Sequence, residues 1–418
     1  MTSLSPGLDD GPASEPVWEP DVLPGFERLT LPLEPDEDEP EVVATLVRRA
    51  RPAPDGTGEG AADCDGEAGP RRVMHRIGAE NPQVARLWDE LSELGRRLRL
   101  PGAARHHADA DGEPGAAQQD GTPPDPTPPD AGVDVLYVHG WLDYFFQTHL
   151  ADFWESQGVR FHALDLRRYG RSLREGQTPG YVRSLAIYDE EIEAALDVMG
   201  HGRDQRTDRR LVLMGHSTGG LILSLWTAHN QERVAGLVLN GPWLEFQTRE
   251  AGRKLMEPGI RVQSVLVPRS QLVNLDRGLY ARSISSRFDG EWDYDVAWRP
   301  DAGWRATPAW LAAIFRGQDQ VARGLGIDVP VLVLLSARSS IPTRWSEEMR
   351  STDSVLDVVG IARRVPDVGS LTTLVRIAGG LHDATLSAAP AREQVWRETR
   401  RWFRGYVLSP ADDGAPRA

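Results

Sequence analysis

The stretch LVLMGHSTGG, residues 211–220, decides the interpretation of the whole chain. Its first four residues are an uninterrupted apolar run, which is typical of a strand buried on both faces of a parallel sheet. Residues 221–230 follow with helical spacing, so Ser217 and its flanking glycines lie in a turn between a strand and a helix. The glycines let the backbone turn sharply and raise the hydroxyl of Ser217 above the sheet, next to a helix N-terminus. The pattern predicts that Ser217 is a nucleophile.

Apolar runs of the same kind recur along the chain and alternate with helical patterns. Strands are predicted at residues 135–138, 159–164, 211–214, 234–239, 329–335 and 373–377, and helices at 185–199, 221–230 and 392–407. Alternating stretches at 26–33 and 41–47 predict a β-hairpin before them. Strands that alternate with helices imply a mostly parallel sheet with helices on both faces. The predicted fold class is therefore α/β.

Segments poor in apolar residues flank and interrupt this pattern. Residues 1–22 and 409–418 are expected to be disordered tails, and residues 51–132 are expected to form a low-complexity insertion. Such segments bury too little apolar surface to offset their loss of conformational entropy. Within the insertion, Asn81-Pro82 opens one predicted helix, which either docks on the parent domain or serves as a partner- or membrane-facing element. The main domain then comprises residues 23–50 and 133–408.

A second insertion separates the fourth and fifth strands of the alternation, at residues 243–326. It is too long for a bare loop in a compact domain, and it is rich in tryptophan and arginine. We interpret these residues as an inserted cap, the cap segment.

The first strand of the alternation ends in His139-Gly140-Trp141. A glycine here lets the backbone approach a substrate carbonyl, and the backbone N–H groups of Trp141 and Thr218 are predicted to form an oxyanion hole. His139 precedes Ser217 in the chain, whereas the order nucleophile, acid, histidine is expected for such an arrangement. We therefore interpret His139 as a structural residue and not as a base.

One of the ten histidines lies where a general base is needed. His382 belongs to the run GGLHD, residues 379–383, directly after the last predicted strand. From the carboxyl end of that strand its side chain can reach Ser217, accept the hydroxyl proton and later donate it to a leaving group. The other histidines lie in or near predicted disorder, or at positions without a partner.

Together these residues resemble the branch of the α/β-hydrolases that contains monoacylglycerol lipases, lysophospholipases and serine aminopeptidases. The resemblance covers roughly residues 22–50 and 133–408, and it rests on His139-Gly140, DLRRYGRS at 165–172, GHSTGG at 215–220 and GLHD at 380–383. It implies the α/β-hydrolase fold and an ester- or amide-hydrolysing enzyme that needs no cofactor. It also implies a cap between the fourth and fifth strands, where the cap segment lies.

The catalytic acid departs from the family pattern. The family usually places it in a Gly-x-x-Asp turn after the strand before the last, but here that turn reads SARSS, residues 336–340, without a carboxylate. The later run DSVLD, which starts at Asp353, looks like the family's Asp-x-Val stretch displaced by an insertion. The resemblance therefore assigns Asp353 to orient His382 and stabilise its imidazolium. Asp357 is the alternative acid, and Glu245 is a further candidate.

Composition bears on several other classes of function. The net charge is −15, and an acidic surface argues against nucleic-acid binding, which needs clustered Lys and Arg. The chain has no His-x-x-x-His pair, a single cysteine (Cys64) and no Gly-x-x-x-x-Gly-Lys run, so neither a metal nor a cofactor is expected. No apolar run is long enough for a transmembrane segment, and neither a signal peptide nor an intrachain disulfide is indicated. A cytoplasmic location is therefore expected.

Three functions are compatible with these residues. The leading hypothesis is hydrolysis of a carboxylic ester, a small-molecule or lipid ester, because a Ser–His–Asp triad coexists with an aromatic-rich cap segment. A peptidase or amidase would use the same triad, and the difference in leaving-group recognition would lie in the cap segment. A non-catalytic scaffold that kept the fold is the third, and an intact triad geometry would argue against it.

Overall fold

The computed structural model describes residues 16–36, 39–51, 129–246, 250–272, 278–341 and 344–409. The chain divides into two compact units, residues 1–51 with 126–418 and residues 52–125, and the first unit contains every described residue. Apart from its two ends, the predicted low-complexity insertion with its helix at Asn81-Pro82 lies outside the described residues. Most of the predicted N-terminal tail and residues 410–418 lie outside them as well.

One sheet of nine strands organises the described part of the chain. The strands are β1 (Glu19–Pro20), β2 (Phe26–Leu33), β3 (Val42–Arg49), β4 (Val133–Val138), β5 (Arg160–Asp165), β6 (Arg210–His216), β7 (Gly236–Asn240), β8 (Val331–Ser336) and β9 (Thr372–Ile377). Their order in the sheet is β1-β2-β3-β5-β4-β6-β7-β8-β9. All six strands predicted in the alternation and both strands of the predicted hairpin are present.

Strands β4 to β9 run parallel to one another, and β1, β2 and β3 add an antiparallel edge beside β5. The register pairs Val138 at the end of β4 with Gly215 near the end of β6. Every residue of β4, β7 and β8 is buried, which explains why apolar residues make up most of each strand. Because parallel strands end at the same edge, the residues that follow β4, β6, β8 and β9 meet there.

Helices cover both faces of this sheet, which confirms the predicted α/β fold. They are α1 (Thr148–Glu155), α2 (Tyr188–Met199), α3 (Thr218–His229), α4 (Glu250–Leu266), α5 (Leu279–Ile284), α6 (Pro308–Ala322), α7 (Val358–Val368) and α8 (Ala389–Trp402). Buried side chains of α2, α3, α6 and α7 share one hydrophobic core, and those of α1 and α8 share the core on the other face. Within the described ranges, none of these helices combines the length and the apolar content that crossing a bilayer requires.

The cap segment joins β7 to β8 and contains α4, α5 and α6. Its last helix belongs to the main core, because Trp310 and Ile314 are buried among side chains of the sheet and of α3. The helix begins at Pro308, and the hydroxyl of Thr307 caps it by accepting the N–H of Trp310 at 3.3 Å. The part of the cap segment that adds to the main domain therefore lies before residue 308.

The ordered N-terminal part of the chain starts earlier than the sequence indicates. Residues 1–22 are predicted to be a tail, yet Glu19 and Pro20 pair with β2. Both carboxylate oxygens of Asp21 accept hydrogen bonds at 2.6 Å from the guanidinium of Arg171, which is buried. A buried arginine without a negative partner would destabilise the fold. The ion pair with Arg171 therefore keeps Asp21 and its neighbours in place, although their sequence has no apolar pattern.

We expect His162 on β5 to make the fold sensitive to acid. Burial lowers the pKa of His162 to about 3 and outweighs the opposing effect of Asp134. Between pH 6.5 and about 3 the unfolded chain therefore binds a proton at this position that the folded chain does not, so stability falls as the pH falls through this window. From pH 7.5 to 5.5, the free energy of unfolding of the wild type should fall by about 1.4 kcal/mol more than that of His162→Phe, in which this proton is absent.

Urea unfolding of both proteins at the two pH values measures this difference. All other titrating groups are common to the two chains, so the comparison isolates His162. Equal pH dependence of the two free energies would contradict the prediction.

Candidate active site

The turn between β6 and α3 places Ser217 above the carboxyl edge of the sheet. Its backbone is strained, with φ 51° and ψ −115°, a combination that a non-glycine residue rarely adopts. The flanking glycines are required by close packing. A Cβ on Gly215 would lie 2.6 Å from the backbone of Gly219, and a Cβ on Gly219 would lie 2.4 Å from the carbonyl oxygen of His139. The sequence motif therefore reflects backbone contacts that no larger residue allows.

The loop after β9 carries His382 to the same edge. Two hydrogen bonds fix the residues just before it: the N–H of Leu381 donates to Ser387 Oγ at 2.9 Å, and Ser336 Oγ donates to the carbonyl of Gly380 at 2.7 Å. Tyr280 of the cap segment packs edge-on against the imidazole, with ring centroids 5.7 Å apart. The His382 side chain is buried as a result.

Asp353 reaches the site from an excursion that leaves the sheet after β8 and returns to it. Ser339 and Asp353 form a parallel bridge, in which the N–H of Ser340 donates to the carbonyl of Asp353 at 2.8 Å and the N–H of Asp353 donates to the carbonyl of Arg338 at 3.0 Å. The chain therefore returns to the turn where the family pattern expects an acid, and it brings the carboxylate with it. Oδ1 of Asp353 accepts the N–H groups of Val355 and Leu356 at 2.8 and 2.7 Å.

The structure brings Ser217, His382 and Asp353 into one chain of contacts. Nε2 of His382 lies 3.0 Å from Ser217 Oγ, and Nδ1 lies 2.9 Å from Asp353 Oδ2. A carboxylate can only accept, so the Nδ1–H donates to Asp353 and Nε2 is left to accept the serine proton. All three side chains are buried, which protects these hydrogen bonds from competition with water.

The two other candidate acids lie in structural interactions elsewhere. The carboxylate of Asp357 caps α7 by accepting the N–H of Val359 at 3.0 Å. Glu245 forms an ion pair with Arg364. Of the three candidates, Asp353 alone contacts His382 among the described residues.

The predicted oxyanion residues, Thr218 and Trp141, directly follow Ser217 and Gly140, which contact each other. Thr218 is the first residue of α3, so its N–H is one of the helix N-terminal donors that no carbonyl of the helix can accept. Gly140 packs directly against the serine, since a Cβ at this position would lie 2.9 Å from Ser217 Cβ. Trp141 follows Gly140, and its indole ring lies against that of Trp310, with centroids 3.8 Å apart.

Both ring nitrogens of His139 bond to the backbone. Nδ1 donates to the carbonyl of Gly140 at 2.7 Å, and Nε2 accepts the N–H of Leu166 at 3.1 Å. Burial lowers the pKa of His139, in keeping with this neutral form. The residue thus links the loops that follow β4 and β5, as a structural histidine would.

The stretch at 165–172 forms a buried polar support under the loop after β4. Asp165 Oδ1 accepts the N–H of Phe145 at 2.8 Å, and Oδ2 accepts from Arg171 at 2.8 Å. Arg171 donates in turn to the carbonyl of Phe145 at 2.9 Å. These contacts fix the loop that starts at Gly140, and they give a physical reason for the Asp and Arg of the motif.

Sequence reasoning misses four buried charged residues behind the triad: Asp143, His216, Arg299 and Asp383, the buried ionic cluster. One ligand atom each from Asp143, His216 and Asp383 lie within 4.8 Å of one another, a spacing that a metal ion also requires. Arg299 already pairs with Asp143 at 3.2 Å, however, and a divalent cation beside it would leave the cluster with an excess positive charge. The sequence signal for this cluster is that His216 directly precedes Ser217 and Asp383 directly follows His382.

Comparisons with known proteins agree with this fold. Residues 130–346, over half of the chain, match the model of the family described as serine aminopeptidase, S33. A monoacylglycerol lipase of Mycolicibacterium smegmatis is 25% identical over 277 residues, which are 66% of this chain and 89% of the lipase. A pyrethroid hydrolase of Sphingobium wenxiniae is 30% identical over 109 residues, but these span only 25% of this chain and 34% of that enzyme.

A solved structure gives the same result for the fold. The crystal structure of Paleococcus ferrophilus monoacylglycerol lipase superposes with a TM-score of 0.50 at 18% identity, and the match covers 66% of this chain and 96% of that one. The parallel sheet, the strained serine turn and the family match lead to one conclusion: the chain belongs to the serine aminopeptidase S33 family and has the α/β-hydrolase fold.

Proposed function

We propose that this chain is a serine hydrolase that cleaves carboxylic esters with an apolar, lipid-like acyl chain, as monoacylglycerol lipases and lysophospholipases do. The observation that carries the proposal is the pair of contacts, at 3.0 and 2.9 Å, that join Ser217 to His382 and His382 to Asp353. A serine hydroxyl alone is a weak nucleophile, and an oriented histidine base is the usual means of activating it. The same contacts argue against a scaffold that has lost its chemistry.

Acylation would begin with attack of Ser217 Oγ on the carbonyl carbon of the ester, while the hydroxyl proton passes to Nε2 of His382. Asp353 stabilises the imidazolium that forms. The N–H groups of Trp141 and Thr218 stabilise the negative oxygen of the tetrahedral intermediate. When the intermediate collapses, the bond to the alcohol oxygen breaks and the alcohol leaves with the proton from His382, so that an acyl-Ser217 ester remains.

Deacylation would repeat these steps with water as the nucleophile. His382 takes a proton from the water as it attacks the acyl carbonyl, and the same N–H donors stabilise the second oxyanion. Collapse breaks the bond to Ser217 Oγ, which regains its proton from His382. The products are a carboxylic acid and the free enzyme.

Aromatic side chains beside the serine support an apolar acyl group. The N–H of Trp243 donates to the carbonyl of Ser217 at 3.0 Å, so Trp243 lies directly beside the serine turn. Its ring packs against Trp310 and Phe246, and Trp310 packs against Trp141. Aromatic rings offer large apolar surfaces with few rotatable bonds, which suits an alkyl chain. The similarity to a monoacylglycerol lipase supports the same substrate class.

Amide or peptide hydrolysis is the second candidate, and the match to the serine aminopeptidase family favours it. The same triad serves both reactions, but an amine is a poorer leaving group than an alcohol and depends more on protonation by His382. Ester and amide substrates with one shared acyl group decide between them. Higher kcat/KM on the amide would overturn the assignment as an esterase.

Covalent labelling tests the proposed function directly. Intact mass should show a single adduct after incubation of the wild type with an alkyl fluorophosphonate, and none on Ser217→Ala, because only an activated serine displaces fluoride. Turnover of p-nitrophenyl esters with 2 to 12 acyl carbons, about the range from acetate to a medium-chain lipid, measures the acyl preference in parallel. A wild type that forms no adduct and hydrolyses none of the esters would contradict the proposal.

A further inference from the structure

The buried ionic cluster draws its members from the cap segment and from three of the loops that make up the candidate active site. Asp143 follows Trp141 by two residues, His216 precedes Ser217, and Asp383 follows His382. Arg299 is the member that the cap segment contributes. All four are at least nine-tenths buried, and Arg299, at 7%, is the most exposed.

Each carboxylate in the cluster has fixed partners. Asp143 Oδ1 lies 3.2 Å from Nε of Arg299, and its Oδ2 lies 3.6 Å from Nδ1 of His216. Asp383 Oδ1 accepts from Asn240 Nδ2 at 2.7 Å and from the N–H and the hydroxyl of Thr385 at 2.9 and 2.6 Å. The two carboxylates thus have separate hydrogen-bond partners, and both lie close to His216.

The charges in the cluster balance when His216 is protonated. Two carboxylates then face one guanidinium and one imidazolium, and buried charges persist only when they are compensated. Burial lowers the pKa of His216, but Asp383 and Asp143 together raise it above its ordinary value. The other charged or titratable groups near this ring are Arg299, His382 and His139. A proton gained by His216 would thus lie beside His382, whose ring centroid is 5.0 Å away.

The loop between Trp141 and Asp143 is strained and needs such an anchor. Leu142 has φ 61°, in the left-handed region that a branched side chain disfavours. A strained residue keeps its conformation only where its surroundings impose it. Asp165 holds the loop on its far side through Phe145, and the ion pair with Arg299 holds it at Asp143.

Arg299 is itself held firmly by the cap segment. Its guanidinium lies over the rings of Tyr294 and Tyr280, 4.7 and 5.7 Å from their centroids. Tyr280 also accepts the N–H of Asp383 at 3.1 Å through its hydroxyl. The cap segment therefore contacts both the loop that contains Asp143 and the loop that contains His382 through one compact set of contacts.

Building on the proposed serine hydrolase function, we propose that Arg299 is a positioning residue: its ion pair with Asp143 holds the Trp141 N–H in place for the oxyanion and so makes catalysis depend on the seated cap segment. Without this ion pair, Leu142 relaxes toward an unstrained backbone and moves the neighbouring N–H. The displaced N–H weakens stabilisation of the transition state, in which the negative oxygen forms. It leaves ground-state binding of the ester unchanged.

Arg299→Met tests the proposal, because it keeps an unbranched side chain about as long as the aliphatic part of arginine and removes the charge. We expect kcat for a p-nitrophenyl ester to fall by about 10- to 100-fold with KM changed less than about 3-fold, since a donor displaced by a fraction of an ångström loses most of its effect. The rate constant for labelling by the fluorophosphonate should fall by a similar factor, while the final stoichiometry stays at one adduct. A residue that merely supports the fold would lower the active fraction and leave the kcat per labelled site unchanged.

Arg287→Met is the matched control. Arg287 belongs to the same segment, stacks on the same Tyr294 ring at 5.1 Å and pairs with Asp301, but it is exposed and lies outside the cluster. Its kcat should match that of the wild type. Equal losses in the two variants would overturn the proposal.

The double variant Arg299→Met with Asp143→Asn separates positioning from stability. Arg299→Met leaves a buried carboxylate short of a partner and destabilises the fold, whereas the double variant removes both charges and should recover the unfolding midpoint. Its kcat should stay low because the anchor is still missing, and this variant carries the test if the single variant fails to fold. Recovery of wild-type kcat would overturn the proposal.

Labelling of the wild type separates this inference from the proposed function. A wild type that forms no adduct would contradict the serine hydrolase function, and this inference with it. A wild type that reacts at the same rate as Arg299→Met would overturn this inference alone.

Discussion

Replacing Ser217 with alanine is expected to lower kcat for a p-nitrophenyl ester by about 10⁴-fold or more, because no acyl-enzyme can form. Residual turnover would come from the oxyanion donors, which act on a water molecule instead. The fold should survive, since alanine keeps the Cβ on the strained backbone and only one hydrogen bond, to His382 at 3.0 Å, is lost. Such a loss changes the free energy of unfolding by about 1 kcal/mol. Ester turnover and urea unfolding of the same preparation measure both effects.

Ser224→Ala is the control for this substitution. Ser224 is also buried, one turn or more along α3, and its hydroxyl donates to the carbonyl of Gly220 at 2.7 Å. Loss of that hydroxyl should leave kcat unchanged. Turnover by Ser217→Ala above a tenth of the wild-type rate would rule out Ser217 as the nucleophile.

Asp353→Asn is expected to give the second-largest effect, a fall in kcat of about 10³- to 10⁴-fold with little change in KM. Oδ1 of Asp353 accepts two backbone N–H groups, so the oxygen of an asparagine would stay there and its NH₂ would face His382. An NH₂ group can only donate, which turns the imidazole to the tautomer with its proton on Nε2. That nitrogen can then no longer accept the proton of Ser217. Steady-state kinetics with one ester measures the change.

Asp357→Asn is the matched control for the acid. Asp357 caps α7, and asparagine is as good an N-cap as aspartate, so stability should change by less than about 0.5 kcal/mol. Its kcat should equal that of the wild type. Comparable losses in both variants, or a loss confined to Asp357→Asn, would overturn the assignment of Asp353.

Local sequence patterns predict most of the sheet and the positions of two of the three residues in the proposed triad. Residues 135–138 of β4 and 331–335 of β8 are continuous apolar runs, and the glycines around Ser217 reflect close backbone contacts. His382 is predictable because it follows the last strand directly. In each of these cases the decisive contacts lie close to one another in the sequence.

Non-local contacts account for what the sequence does not predict. The choice between Asp353 and Asp357 depends on the pairing of Asp353 with Ser339, which no periodic pattern records. Arg299 reaches the buried ionic cluster from the cap segment, where arginines are common and most would be assigned to the surface. Helix α7 is not among the predicted helices, and Pro366, a residue that disfavours the interior of a helix, lies inside it. Ion pairs between distant residues leave no local signal.

The bridge between Ser339 and Asp353 joins the two ends of the chain excursion that follows β8, and we call this bridge the stem. Because the hydrogen bonds of Ser340 and Asp353 close the stem just after β8, we expect residues added or removed beyond it to leave the carboxylate where it is. Loop-closure entropy grows only slowly with length, so such changes cost little stability. Insertions and deletions in this part of the surface can therefore accumulate without displacing the catalytic acid. A peptide grafted there should leave the carboxylate of Asp353 in the same position.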